Sequence, residues 1–286
     1  VYKPGTLLFI LIIVFTQSSV ADGLSNQSKK FTPPSKISKS DWSDLNEIKR
    51  TWDSALVRIP KSNGYYSSHI MSHLTQQPDA NLKTFPTVIY LHGCAGVWEG
   101  TYTRINFLAR SGFAVIAPVS FARAKYPQSC DPASAKGGMY RGTLSMRQND
   151  AGYAIAKARQ LDWVDNNNVF LMGHSQGGIT TATFKPADET MSVNARIIEG
   201  WTCHAGWSEY RGINAPDNEP VLAIVASNDP WFQNHWTRGS CSTFIKKENG
   251  SRSIVLSEGE LNASHELLED QNLQKIVIDF MHTHMR

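Results

Sequence analysis

The sequence predicts an α/β fold in which a mostly parallel central sheet carries helices on both faces. Three observations lead to it. Short apolar runs recur at Thr87–Leu91, Phe113–Ala117, Val169–Met172, Ala195–Glu199, Pro220–Ala226 and Ser253–Leu256. Most are continuous rather than alternating, as strands buried on both faces read. Between several of these runs lie segments with helical spacing, the repeating pattern of a layered α/β domain. Finally, the strand at Val169–Met172 runs directly into Gly173-His174-Ser175-Gln176-Gly177 and then into a stretch able to open a helix.

From the N-terminus, Lys3, the nine-residue apolar run Leu7–Phe15 and Ser19-Val20-Ala21 read as a secretory signal peptide over residues 1–21. Nine apolar residues fall well short of the roughly 20 needed to span a bilayer. The expectation is therefore a secreted or periplasmic protein with no stable membrane span after cleavage. Residues 22–50 form a polar N-terminal arm with Pro33-Pro34 and several Ser and Lys residues. Residues 51–286 form the single large domain, which is long enough for a well-filled core.

Within that domain, Ala55–Ile59 and Tyr65–His73 have strand character and are separated by the turn signal Lys61-Ser62-Asn63-Gly64. Pro78-Asp79-Ala80-Asn81 is a second turn. Thr101–Arg110 and Met146–Leu161 are helical, the latter with Ala151, Ile155, Ala158 and Leu161 on one face. Val119 to Tyr140 holds two prolines and Gly137-Gly138 and reads as a long irregular loop. Leu273, Ile276, Val277, Phe280 and Met281 form the apolar face of a closing helix.

Formal net charge is +3, with both signs scattered and no basic stripe, which argues against a nucleic-acid partner. No phosphate loop, metal cluster or cofactor motif is found, so no cofactor or metal is expected. Oligomeric state is not encoded legibly. Cys94, Cys130, Cys203 and Cys241 are too dispersed for a zinc site. In an oxidising compartment two bridges are expected, and three pairings are open.

The Gly173–Gly177 segment fits G-x-S-x-G. A strand that turns at once into a helix holds one strained residue at its apex and thrusts that side chain above the sheet, with small residues required two before and two after. Ser175 is thus the candidate nucleophile, and a glycine-rich turn with a bystander serine is the other reading. A nucleophilic serine needs a base, an acid to orient that base, and donors for the oxyanion. On such sheets the order along the chain is serine, acid, histidine.

Asp229 lies just past the strand Pro220–Ala226, where active-site groups of α/β sheets collect; Asp217 is the reserve. His265 follows the last strand. His204 and His235 fall out of order, and His282 and His284 sit near the end of the closing helix, where capping roles are expected. The oxyanion donors expected are the backbone N–H groups of Gln176 and of Cys94, in His92-Gly93-Cys94-Ala95-Gly96. Cys94 as nucleophile is disfavoured because Ser175 holds the elbow. Trp201, Trp207, Trp231, Phe232 and Trp236 lie in loops near the same strand ends. Trp201, Trp231 and Phe232 are the candidate substrate-binding residues, suited to an apolar acyl or aryl group, although some of these aromatics could equally serve the core or the surface.

Tyr90–Gly96, Ser120-Phe121, the Cys130 loop, Arg147–Ala151, Gly173–Gly178, Ala226–Trp231 and His265 together resemble the dienelactone-hydrolase-related branch of the α/β-hydrolases, over roughly residues 85–286. The resemblance implies the α/β-hydrolase fold, with Ser175, Asp229 and His265 as triad. It also implies the pairings Cys94–Cys130 and Cys203–Cys241. True dienelactone hydrolases carry cysteine at the elbow, whereas this chain has Ser175. That departure points to an exported serine hydrolase acting on a small-molecule carboxylic ester. A peptidase or thioesterase would use the same groups, since all three reactions are acyl transfers. A non-catalytic binding protein of hydrolase shape is the alternative from another class.

Overall fold

The computed structural model describes residues 31–74 and 83–286. The expected signal peptide, residues 22–30 of the arm and the Pro78–Asn81 turn lie outside the described residues. The strands are β1 (Leu56–Pro60), β2 (Tyr66–Ile70), β3 (Phe85–Leu91), β4 (Ala114–Ala117), β5 (Cys130–Asp131), β6 (Lys136–Gly137), β7 (Val164–His174), β8 (Arg196–Glu199), β9 (Val221–Ala226) and β10 (Arg252–Leu256). The helices are α1 (Lys39–Trp42), α2 (Leu45–Asp53), α3 (Met71–Leu74), α4 (Glu99–Arg110), α5 (Thr143–Ala158), α6 (Gln176–Thr183) and α7 (Gln271–Thr283).

Eight strands form one sheet in the order β10-β9-β8-β7-β3-β4-β1-β2. From β10 to β4 every pairing is parallel, and β1 joins antiparallel to both β4 and β2. The α/β class with a mostly parallel sheet is therefore as expected. Side chains alternate between faces along a strand, which divides the core in two. Val88 and Tyr90 of β3, with Val115, Phe170 and Met172, pack under α4 and α7. Ile89 and Leu91, with Ile116, Val169 and Leu171, pack on the opposite face under α2 and α5. A third cluster joins Ile198, Val221, Ala223 and Val225 to α6, Trp201 and Phe232.

Three elements depart from the sequence reading. The domain boundary expected at residue 50 falls inside α2, whose Ile48 and Trp52 are buried. A polar stretch can belong to a core when its few apolar residues share one helix face. The main chain of the arm is also held, because Arg123 donates to the carbonyls of Asp41 (3.0 Å) and Trp42 (3.2 Å). The strand expected through His73 ends at Ile70 and continues as α3, burying Met71. The irregular loop before α5 contains the antiparallel hairpin β5–β6, pairing Cys130 with Gly137 and Asp131 with Lys136. Two-residue strands carry too little pattern to read. Among the described residues no helix is long and apolar enough to cross a membrane.

Beneath the apolar layers, Arg196 and Glu219 form a fully buried ion pair, with Arg196 Nε 2.7 Å from the carboxylate. Arg196 also caps α6 by donating to the carbonyls of Thr181 (3.0 Å) and Phe184 (2.6 Å). A buried pair of this kind adds little net energy, but removing one partner strands the other. Arg196→Leu is expected to lower unfolding free energy by about 3–5 kcal/mol, read from urea denaturation. Arg196→Leu combined with Glu219→Leu should recover most of that loss.

Candidate active site

Every segment singled out for chemistry ends at the same edge of the sheet, beyond the carboxyl ends of the parallel strands. His92 follows β3, Ser175 follows β7, Asp229 lies beyond β9 and His265 beyond β10. Parallel pairing makes this inevitable once the strands are in register: His174 pairs with Glu199, and Glu199 with Ile224.

Ser175 stands at φ 55°, ψ −117°, left-handed backbone that a residue with a Cβ rarely adopts. The glycines around it are required by contact distance. A Cβ at Gly173 would lie 2.2 Å from the carbonyl oxygen of Gly177, and one at Gly177 would lie 1.9 Å from that of Leu91. The Ser175 N–H donates to the Glu199 carbonyl (2.9 Å), and α6 begins at the next residue. The N–H of Gln176 at the start of that helix has no intrahelical acceptor.

The loop after β3 lies against the elbow, since a Cβ at Gly93 would be 3.6 Å from that of Ser175. Two groups hold this loop. Ser120 N–H donates to His92 Nε2 (3.1 Å), which leaves the ring proton on Nδ1, and that N–H donates to the Gly93 carbonyl (2.7 Å). From α5, Arg147 donates to the His92 carbonyl (2.6 Å) and to Gln176 Oε1 (3.4 Å). Cys94, next in the loop, is bonded to Cys130, and Cys203 to Cys241. The first bridge ties the loop after β3 to the β5–β6 hairpin.

His265 Nδ1 donates to Asp229 Oδ2 at 2.6 Å. Asp229 is wholly buried, and its other oxygen accepts the Trp231 N–H (3.0 Å). Trp231 stacks on the imidazole with centroids 5.2 Å apart, while Phe232 and His174 flank it at 5.7 and 4.8 Å. With the proton on Nδ1, Nε2 keeps its lone pair. It is buried and makes no hydrogen bond, so the contact expected between Ser175 Oγ and His265 Nε2 is not formed here. Hydrogen bonds of this type are often long without substrate and tighten in the complex.

Ser175 and Gln176 open onto a cavity of about 720 Å³. Trp201, Trp207, Trp231, Phe232 and Trp236 all line it, with Cys94 and the hairpin opposite. Trp201 and Phe232 are buried and meet edge to face at 5.3 Å, whereas Trp236 is 61% exposed at the rim. The hairpin residues Lys136, Gly137 and Gly138, and also Tyr210, line it too; none was legible in the sequence, because short loop strands carry no pattern. Among the described residues no group of three or more His, Cys, Asp or Glu side chains is placed to hold a metal.

Comparison with solved structures sets this arrangement among known folds. The chain superposes on a sugar hydrolase from Lactococcus lactis with TM-score 0.53, at 14% identity over 81% of this chain and 94% of that one. This is the fold of the α/β-hydrolases. The hydrolase fold here is also similar to that of a 2,6-dihydroxy-pseudo-oxynicotine hydrolase, with TM-score 0.50 and 12% identity over 80% of this chain and 63% of that one. A dienelactone hydrolase-like promiscuous phosphotriesterase from metagenomic libraries superposes with TM-score 0.48, at 16% identity over 73% of this chain and 90% of that one. No family model and no curated protein sequence matches the chain.

Below the candidate site lies a charged cluster that sequence reading did not identify. Glu199, wholly buried at the end of β8, pairs with buried Arg104 of α4, and Glu266 reaches the same guanidinium at 2.8 Å. The available signal was a charge ending an apolar strand run. Burial pushes the Glu266 carboxyl up to about 7, outweighing the Arg104 charge that opposes it. Burial also keeps His174 well below the ordinary imidazole range, with the Arg104 charge adding to the effect, so His174 is neutral at pH 7.

A carboxyl raised in the folded state binds its proton more tightly there than in the unfolded chain. Its contribution therefore favours folding at low pH and is lost between the unfolded value, near 4.5, and about 7. Glu266→Gln should remove this component. The difference in unfolding free energy between variant and wild type, followed by denaturant titration, should shift in favour of the variant as pH rises from 5 to 7.

Proposed function

We propose that this protein is an exported serine hydrolase of the dienelactone-hydrolase-related branch that cleaves carboxylic esters through an acyl-enzyme. The observation that carries the reading is the pairing of an imidazole Nδ1 proton with a buried carboxylate, at the same sheet edge as a strained, elbow-held serine. That pairing leaves Nε2 as the base. The two disulfides are compatible with export.

In the proposed reaction Ser175 Oγ attacks the ester carbonyl carbon as His265 Nε2 takes the hydroxyl proton. The N–H groups of Gln176 and Cys94 stabilise the oxyanion as negative charge develops. Asp229 holds the ring in the correct tautomer and balances the imidazolium. Collapse breaks the carbon–oxygen bond to the alcohol, which leaves with the proton from Nε2. Water then adds to the acyl carbon, giving its proton to Nε2. Cleavage of the acyl–Oγ bond returns that proton to Ser175 and frees the acid. The aromatic cavity suits an ester with an apolar or aryl group, and Trp201, Trp231 and Phe232 are assigned to bind it.

Ser175→Ala should lower kcat on a chromogenic ester by about a million-fold and abolish labelling by a fluorophosphonate probe. Full activity in that variant would refute the assignment. Asp229→Asn should retain the fold and lose about 10⁴-fold in kcat. Parallel assays on matched esters, thioesters and peptides test the choice of acyl group, and faster turnover of either alternative would displace the ester assignment.

A further inference from the structure

The contacts around Glu199 reach both halves of the site through different atoms. Its main-chain carbonyl accepts the Ser175 N–H (2.9 Å). Its carboxylate accepts the N–H groups of Leu267 (3.0 Å) and Leu268 (2.9 Å), just after His265. Arg104 fixes that carboxylate with two N–H donors, Nε at 2.6 Å to one oxygen and Nη2 to the other. From the elbow itself, His174 Nε2 donates to the carbonyl of His265 (3.1 Å). The base is thus tethered by its own carbonyl and by the two N–H groups following Glu266, in each case to a residue that also borders Ser175.

We propose that Glu199 and His174 are positioning residues: together they set the distance and angle between the His265 imidazole and Ser175. This rests on the reading of Ser175 and His265 as nucleophile and base. A buried charge pair is a poor way to hold a core, because apolar residues of similar volume do so as well or better. What the Glu199 carboxylate adds is direction, since one oxygen accepting two converging N–H donors fixes a loop that apolar packing would leave free to slide. Misplacement of a catalytic group by about 1 Å can cost on the order of a hundredfold in rate, so such a clamp has a kinetic signature.

Glu199→Gln keeps the volume but turns an N–H₂ group toward either Arg104 or the Leu267 and Leu268 donors. It should lower kcat on an aryl ester and the rate of fluorophosphonate labelling at Ser175 by about tenfold or more, with KM little changed. The ionisable groups facing His265 are Asp229 from beyond β9, His174 from the end of β7 and, from its own loop, Glu266. Behind these stands the Arg104–Glu199 pair of α4 and β8. Loss of the Glu199 charge leaves excess positive charge near the imidazole, so the acid limb of kcat/KM should move to lower pH. His174→Gln retains an N–H donor and should keep most of the labelling rate, whereas His174→Leu should lose it in parallel with Glu199→Gln.

If Glu199→Gln does not fold, the pair Arg104→Met with Glu199→Met removes the charges together and serves in its place for kcat and labelling rate, with no shift of the acid limb expected. Wild-type kcat and labelling rate in whichever variant folds would overturn the role of Glu199. Equal behaviour of His174→Gln and His174→Leu would overturn that of His174. Failure of wild-type protein to label at Ser175 is a separate result, which removes the triad reading and this inference with it.

Discussion

The site depends on the close seating of α6 on the sheet. The helix begins one residue after β7 ends, and its first turn comes so near the Leu91 carbonyl that a methyl group at Gly177 would overlap it. This contact turns the chain sharply enough to force Ser175 into left-handed backbone. It also brings the start of α6 against the loop after β3. A serine hydroxyl, the start of a helix and a second loop meet as a consequence of one steric fact. The strain at Ser175 is tolerated because the surrounding strands over-determine it.

Around that point the polar groups are arranged in depth rather than at the surface. His92 and Arg147 fix the loop after β3. Asp229 fixes the imidazole, while Glu199 and His174 hold the main chain that carries it. Each is buried, and a buried polar group left unpartnered would cost one to several kcal/mol. Most of their polar atoms are indeed satisfied. His265 Nε2 is an exception at the centre of the site, a buried acceptor without a hydrogen-bond partner. The two disulfides act on the walls instead. One joins the loop after β3 to the hairpin, and the other lies beneath the aromatic side of the cavity. By chain entropy each loop of this length stabilises the fold by roughly 4 kcal/mol.

What the sequence determined by itself was local or repetitive. Continuous apolar runs marked the central strands, because a strand covered on both faces must be apolar at every position. Gly173, Ser175 and Gly177 marked the elbow, because only that spacing relieves the overlap between helix and strand. Asp229 and His265 could be placed at the edge that holds Ser175 from chain order, because a parallel sheet delivers successive strand ends to the same edge. Tertiary structure decided the rest. Ile48 and Trp52 joined the core through the one buried face of an otherwise polar helix, and the hairpin at Cys130–Gly137 exists through contacts its four strand residues do not announce. Glu199, Arg104 and Glu266 lie far apart in the chain, and a carboxylate's role depends on which donors surround it. No period or spacing encodes that; only the packed strands bring the donors there.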